Sequence, residues 1–127
     1  QLQSEPICLV DSAHNEAGIQ AVINRIVNLP VAQMHFVLGF VDDKELERIL
    51  PLFPVKAEYY WVKADLPRAK KSKIIQTSAG GYGLHGPAFD RVADGWDFAL
   101  SQAGPKDLVY GGGSIFVVAE ILEKYVT

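Results

Sequence analysis

Ile7-Cys8-Leu9-Val10-Asp11-Ser12-Ala13-His14-Asn15 is the stretch that decides how this chain is read. An apolar run stops abruptly at an acid, then meets a histidine and an amide. An amphipathic pattern opens directly afterwards at Glu16. Read physically, a buried strand ends by presenting Asp11, His14 and Asn15 at the mouth of a sheet. Open α/β sheets bind ligands at the carboxyl ends of their strands, so chemistry is expected at this point.

Working outward, three more short apolar runs have strand character: Met34–Leu38, Glu58–Val62 and Leu108–Tyr110. Nearly continuous apolar runs of this length suit strands covered on both faces. Helical spacing falls between them. The first helix has Ile19, Val22, Ile23 and Ile26 on one face, Asn15 as N-cap and Pro30 as stop. The second carries Leu46, Ile49 and Leu50, opens at Asp42 or Asp43 and closes before Pro51 or Pro54. The third carries Val92, Trp96, Ala99, Leu100 and Ala103, with Asp90 as cap and Gly104-Pro105 as stop. The last carries Ile115, Val118, Ala119 and Leu122 behind a Ser114 cap.

Strands alternating with helices predict a doubly wound, mostly parallel sheet. Parallel strands end on the same side, so the loops at Asp11, Gly39, Val62 and Gly111 are expected along one edge. Lys70–Phe89 is ambiguous: Ser72–Thr77 reads as a short helix, and His85–Phe89 as a short strand that Pro87 would confine to a sheet edge. Tyr59, Tyr60 and Trp61 read as core packing on alternating faces, and Trp96 as core.

At 127 residues, one domain with one buried core is expected. No apolar stretch is long enough to span a membrane, and no signal peptide is visible at Gln1-Leu2-Gln3-Ser4-Glu5. The single cysteine, Cys8, can form no internal disulfide, which suits a reducing cytosol. The chain opens without methionine and close to its first strand, so a fragment of a longer polypeptide is expected. The net charge is −3, yet Lys63, Arg68, Lys70, Lys71 and Lys73 face only one acid, Asp65, within their stretch. A local basic loop on an acidic body suits a small anionic ligand better than a nucleic-acid duplex; for the lysines themselves a solvated loop is the favoured reading.

An acid at a strand end in a nucleotide-binding α/β fold accepts hydrogen bonds from ribose hydroxyls, and Asp11 has that position; it can also cap the turn that follows. His14 is a candidate for proton chemistry. Asn15 can bond a ligand or cap its helix. Gly111-Gly112-Gly113-Ser114 follows the last strand and opens a helix, where glycines admit close approach and free N–H groups face an anion. Arg68 can grip a carboxylate in a bidentate fork or join a surface salt bridge. His14, His35 and His85 share no metal-ligand spacing, and His35 and His85 receive no role. Gly-x-x-x-x-Gly-Lys-Ser/Thr occurs nowhere in the chain, so it holds no P-loop.

Four stretches in order also resemble one family. The Asp-x-Ala-His-Asn segment from Asp11 is similar to the start of the C-terminal domain of Mur ligases, in the branch of folylpolyglutamate and dihydrofolate synthases. Gly39-Phe40-Val41-Asp42-Asp43-Lys44-Glu45 resembles the Gly-x-x-x-x-Lys-Asp/Glu turn after that family's second strand. Leu66-Pro67-Arg68-Ala69 resembles its Pro-Arg-Ala segment. Gly113-Ser114-Ile115-Phe116-Val117-Val118-Ala119-Glu120 resembles its Gly-Ser-x-x-x-Val-x-Glu segment. Glu16 departs from the proline usual after the asparagine, though an acid still suits the first helical turn.

The resemblance implies a Rossmann-like three-layer α/β/α fold of the Mur ligase C-terminal type. It implies ATP binding by Asp11, His14 and Asn15, with His14 the catalytic candidate, and glutamate binding by Arg68, Gly113 and Ser114. It further implies a cytoplasmic, monomeric ligase that joins glutamate to a folate or pteroate carboxylate. Mg²⁺ would be held mainly by an N-terminal P-loop ATPase domain absent from this chain, which alone would be inactive. The rival readings are a cell-wall Mur-type amino-acid ligase and a stand-alone nucleotide-binding module.

Overall fold

The structure, a computed structural model, describes residues 3–42 and 45–126. The elements run β1 (Gln3–Ser4), β2 (Ile7–Asp11), α1 (Glu16–Ile26), β3 (Met34–Leu38), α2 (Leu46–Ile49) with a 3₁₀ turn at Leu50–Leu52, β4 (Glu58–Trp61), α3 (Ser72–Gly80), α4 (Val92–Gln102), β5 (Leu108–Gly112) and α5 (Ile115–Glu123). They build one sheet in the order β1-β2-β5-β3-β4. β1 pairs antiparallel with β2. The other four strands are parallel, with β5 inserted between β2 and β3.

Alternation along each strand divides the core into two layers. Phe36, Leu38, Tyr59, Trp61, Leu108 and Tyr110 face α1, α2 and α3. Cys8, Val37, Tyr60, Val62 and Val109 face α4 and α5. This is the expected three-layer α/β/α arrangement, with Tyr59 and Tyr60 on opposite faces as read from the sequence. The amphipathic stripe of α1 is buried at Ile19, Val22, Ile23 and Ile26, and the Asn15 side chain accepts the Gly18 N–H at its start. Among the described residues no helix is long and apolar enough to cross a membrane.

Several local expectations are corrected. Glu45, not Asp42, stands at the N-cap of α2 and makes no side-chain cap bond; Asp43 and Lys44 lie outside the described residues. Arg91, not Asp90, is the N-cap of α4, again without a cap bond. α5 buries Val117, Val118 and Ile121, while Ile115 and Leu122 face outward. That helix is apolar nearly all round, so periodicity could not select its inner face. His85–Phe89 forms no full strand: Ala88 makes one parallel bridge to Trp61. The Trp61 N–H donates to Pro87 and Phe89 donates back to Trp61, so the proline does sit on an edge.

Candidate functional site

The four parallel strands finish together. Asp11 lies opposite Gly112, Gly112 opposite Leu38, and Leu38 opposite Trp61. The loops leaving them therefore share one edge, as the alternation of elements required. Bonds continue just past the strands, from Gly39 N–H to the Gly112 carbonyl and from Val62 N–H to the Leu38 carbonyl. Gly113 has φ +95°, and a Cβ there would strike the Gly39 carbonyl oxygen. Only glycine adopts this conformation readily, which lets the turn before α5 press against the turn after β3.

Asp11 is half-buried, and its Oδ1 accepts the Ala13 N–H at 2.7 Å. The turn-capping role is thus present, and the carboxylate keeps further lone pairs for a ligand. A cleft of about 270 Å³ opens beside it between β2 and α1, lined by Leu9, Val22, Arg25, Ile26 and Tyr110 among others. Burial, with a smaller contribution from the Asp11 charge, pushes the Tyr110 hydroxyl far above its ordinary value, against the opposing pull of Arg25. Tyr110 is therefore a neutral hydroxyl. His14 is exposed, its Nδ1 3.4 Å from the Ser12 carbonyl. Asn15 Oδ1 is committed to the Gly18 N–H at 2.8 Å, leaving its amide N–H₂ to donate. Glu16, at the position of the family's proline, lies 3.8 Å from Arg48, an exposed pair of small energetic weight.

Ser114 is buried and its Oγ accepts the Val117 N–H at 3.2 Å. This N-cap leaves the hydroxyl proton free to donate. Arg68 is exposed, with Cζ 5.4 Å from the centroid of the Phe116 ring. Among the described residues no carboxylate lies within ion-pair distance of it, so the salt-bridge reading gives way to cation–π contact. Arg68 thus lies over the first turn of α5, the helix that Ser114 caps, whereas Asp11 sits across β5 on the other side. Lys70 Nζ reaches the Asp42 carbonyl at 3.2 Å; Lys71 and Lys73 are solvated. No group of three His, Cys, Asp or Glu among the described residues could hold a metal ion.

Three arrangements bring together residues that sequence spacing does not pair. Tyr110 and Arg25 beside Asp11 are one. The Phe116 platform under Arg68 is another. The third lies at the opposite end of the sheet, where buried His35 bonds Tyr60 OH at 2.8 Å and Asp107 Oδ2 at 2.9 Å. A histidine inside an otherwise apolar strand was its signal, since a buried imidazole needs partners.

With this geometry in place, similarity to known proteins is informative. The family described as "Mur ligase, glutamate ligase domain" matches residues 1–115. The chain belongs to this family. Within the Mur ligase relatives, it is 30% identical over 126 residues to the dihydrofolate synthase/folylpolyglutamate synthase of Escherichia coli, covering 97% of this chain and 29% of that protein. It is 32% identical over 120 residues to a probable bifunctional folylpolyglutamate synthase/dihydropteroate synthase of Haloferax volcanii, covering 92% of this chain and 14% of that one. The solved structure of E. coli FolC in complex with DHPP and ADP superposes with a TM-score of 0.88 at 28% identity, over 98% of this chain and 30% of FolC. The chain thus spans under a third of the length of these Mur ligase relatives.

Proposed function

We propose that this chain is the C-terminal, glutamate-ligase domain of an ATP-dependent folylpolyglutamate or dihydrofolate synthase. The observation that carries the reading is the placement of one acceptor and two donors on a single edge: Asp11 on one side of β5, Arg68 and Ser114 on the other. The similarity to FolC supports it and favours the folate branch over a cell-wall ligase.

In the reaction, ATP phosphorylates a folate or pteroate carboxylate, and the amine of glutamate displaces phosphate to form the amide. Asp11 accepts hydrogen bonds from the ribose hydroxyls, with Asn15 donating and His14 placed to exchange protons at the same loop. The Arg68 guanidinium takes a glutamate carboxylate in a fork, while Ser114 O–H and the Gly113 turn complete the pocket. A preceding P-loop ATPase domain supplies the phosphate contacts and closes the cleft, excluding water from the acyl phosphate. Mg²⁺ held mainly by that domain would supply charge neutralisation at the phosphates. The reading places a monomeric enzyme in the cytoplasm, where the Cys8 thiol stays reduced.

Steady-state kinetics of the full-length polypeptide, with ATP and glutamate varied separately, tests this. Asp11→Ala raises the ATP KM, whereas Arg68→Ala or Ser114→Ala raises the glutamate KM. Each loss of a charge-assisted hydrogen bond is worth about 1.5–3 kcal/mol, roughly tenfold to a hundredfold, where KM tracks binding. Asp11→Ala sparing ATP while weakening glutamate would overturn the assignment.

A further inference from the structure

The loop between β4 and α3 carries Arg68, and its two halves are held by different means. The second half is fixed through main chain. Asp42 N–H donates to the Arg68 carbonyl at 2.8 Å and Lys70 N–H to the Phe40 carbonyl at 2.8 Å, around a Val41–Ala69 bridge. The first half turns on itself, with Leu66 N–H donating to Ala64 and Ala69 N–H to Leu66. This leaves the Asp65 N–H directed at α5, where Glu120 Oε2 accepts it at 2.7 Å across 55 positions of sequence.

A carboxylate accepting a backbone N–H at that distance makes a charge-assisted bond, about twice as strong as a neutral one. The surroundings offer Glu120 an alternative. Lys63 and Arg91 line the same depression of about 450 Å³, together with Asp65, Asp90 and Glu123. Yet among the described residues Glu120 forms no ion pair with either cation; it bonds the loop backbone instead. Phe116 stands one turn before Glu120 on α5, and positions four apart share a helix face. Phe116 and Glu120 therefore hold one loop at two points, the first through Arg68 and the second through Asp65.

We propose that Glu120 is a positioning residue of the ligase site. By accepting the Asp65 N–H it pins the first half of the loop to α5, which keeps Arg68 over Phe116. The inference rests on the reading of Arg68 as the grip on a glutamate carboxylate. A long arginine side chain presented from a pinned loop loses less freedom when it binds, so releasing the loop weakens glutamate selectively.

The test uses the full-length polypeptide with Glu120→Ala and Glu120→Gln. Amide hydrogen exchange at Asp65, compared with Val109 in the central strand, reports the clamp. Glu120→Ala speeds Asp65 exchange by about tenfold or more with Val109 unchanged, and Glu120→Gln, which keeps an acceptor oxygen, stays close to the parent. Glu120→Ala also raises the glutamate KM by about three- to tenfold, with the ATP KM and kcat within about twofold, and Glu120→Gln restores it. Unchanged Asp65 exchange overturns the clamp. Loss of Val109 protection assigns Glu120 a general structural role and overturns the proposal. Faster Asp65 exchange with an unmoved glutamate KM overturns it as well. Arg68→Ala then separates the two failures: if it raises the glutamate KM, only the positioning role falls, and if it is silent, the glutamate reading falls too.

Discussion

Gly113 and Gly39 meet backbone against backbone at the carboxyl edge of the sheet, and neither has room for a side chain. A Cβ on Gly39 would lie 2.7 Å from the Val62 carbonyl oxygen, while one on Gly113 would strike Gly39 itself at a φ of +95°. Gly113→Ala is therefore expected to destabilise the fold by about 1–3 kcal/mol from backbone strain alone. Gly80→Ala is the contrast, since nothing lies within 4 Å of a Cβ there. At the end of α3 it should stabilise by up to about 0.5–1 kcal/mol. Urea midpoints of the two variants, read at constant m, check both signs.

The His35 network should make stability acid-sensitive. The Asp107 carboxylate accepts from His35 Nε2–H at 2.9 Å and from the Gly104 N–H at 2.8 Å, and the Tyr60 hydroxyl lies 2.8 Å from His35 Nδ1. Burial pushes the Tyr60 hydroxyl up to about 12, with Glu58 and Asp107 adding to it, which keeps that proton in place. Burial also works against the Asp107 charge, but the Gly104 N–H and His35 outweigh it and hold the carboxyl below its ordinary 3.8. A lowered folded value means that the stabilisation is fully present above the unfolded value and is lost as pH falls through the folded one. Asp107→Asn should cost about 1–3 kcal/mol at neutral pH, and its gap from the parent should close as pH drops below about 4. A gap independent of pH would show that Asp107 acts by shape alone.

Cys8 should be inert in the native state. Burial pushes its thiol up to about 11, against a hydrogen bond with Tyr125 that lowers it. At pH 8 about one molecule in a thousand then carries the thiolate, the reactive form. A thiol reagent should label Cys8 only on unfolding, so labelling rates in increasing urea should follow the unfolding curve. Fast labelling without denaturant would contradict the packed position of this residue.

The 127-residue chain should neither hydrolyse ATP nor ligate. On the proposed reading it carries one side of a nucleotide and glutamate site, and its sequence has no phosphate-binding Gly-Lys-Ser/Thr loop. Phosphate release with folate, glutamate, Mg²⁺ and ATP should stay at background for this chain alone. Turnover by the purified chain would overturn the half-site reading.

Particular elements show what was legible in advance. Strands Ile7–Asp11, Met34–Leu38 and Glu58–Trp61 match the apolar runs to within a residue, because a strand buried on both faces leaves an unbroken apolar signature. β5 runs two residues further than expected. Gly111 and Gly112 read as loop, yet they pair with β2 on one side and β3 on the other. α1 was clear from its stripe and its Asn15 cap. α5 was clear as a helix but not in its orientation, which only tertiary packing could settle. In the candidate site, the positions of Asp11 and Ser114 follow from the ends of β2 and β5, a local property. The contacts of Arg68 with Phe116 and of Glu120 with Asp65 join segments far apart in sequence, and no periodicity encodes such a pairing.

The shared rung Asp11–Gly112–Leu38–Trp61 also sets rules for how this chain can drift in length. One residue inserted inside any of the four strands would turn every following side chain to the opposite face and carry its terminal loop roughly 3.3 Å out of line. Insertions and deletions should therefore be purged from the strands and tolerated in turns such as 28–33 and 54–57, which join elements on the side away from the site. A deletion scan scored for folding should trace this boundary residue by residue, with the tolerated positions confined to that lower rim.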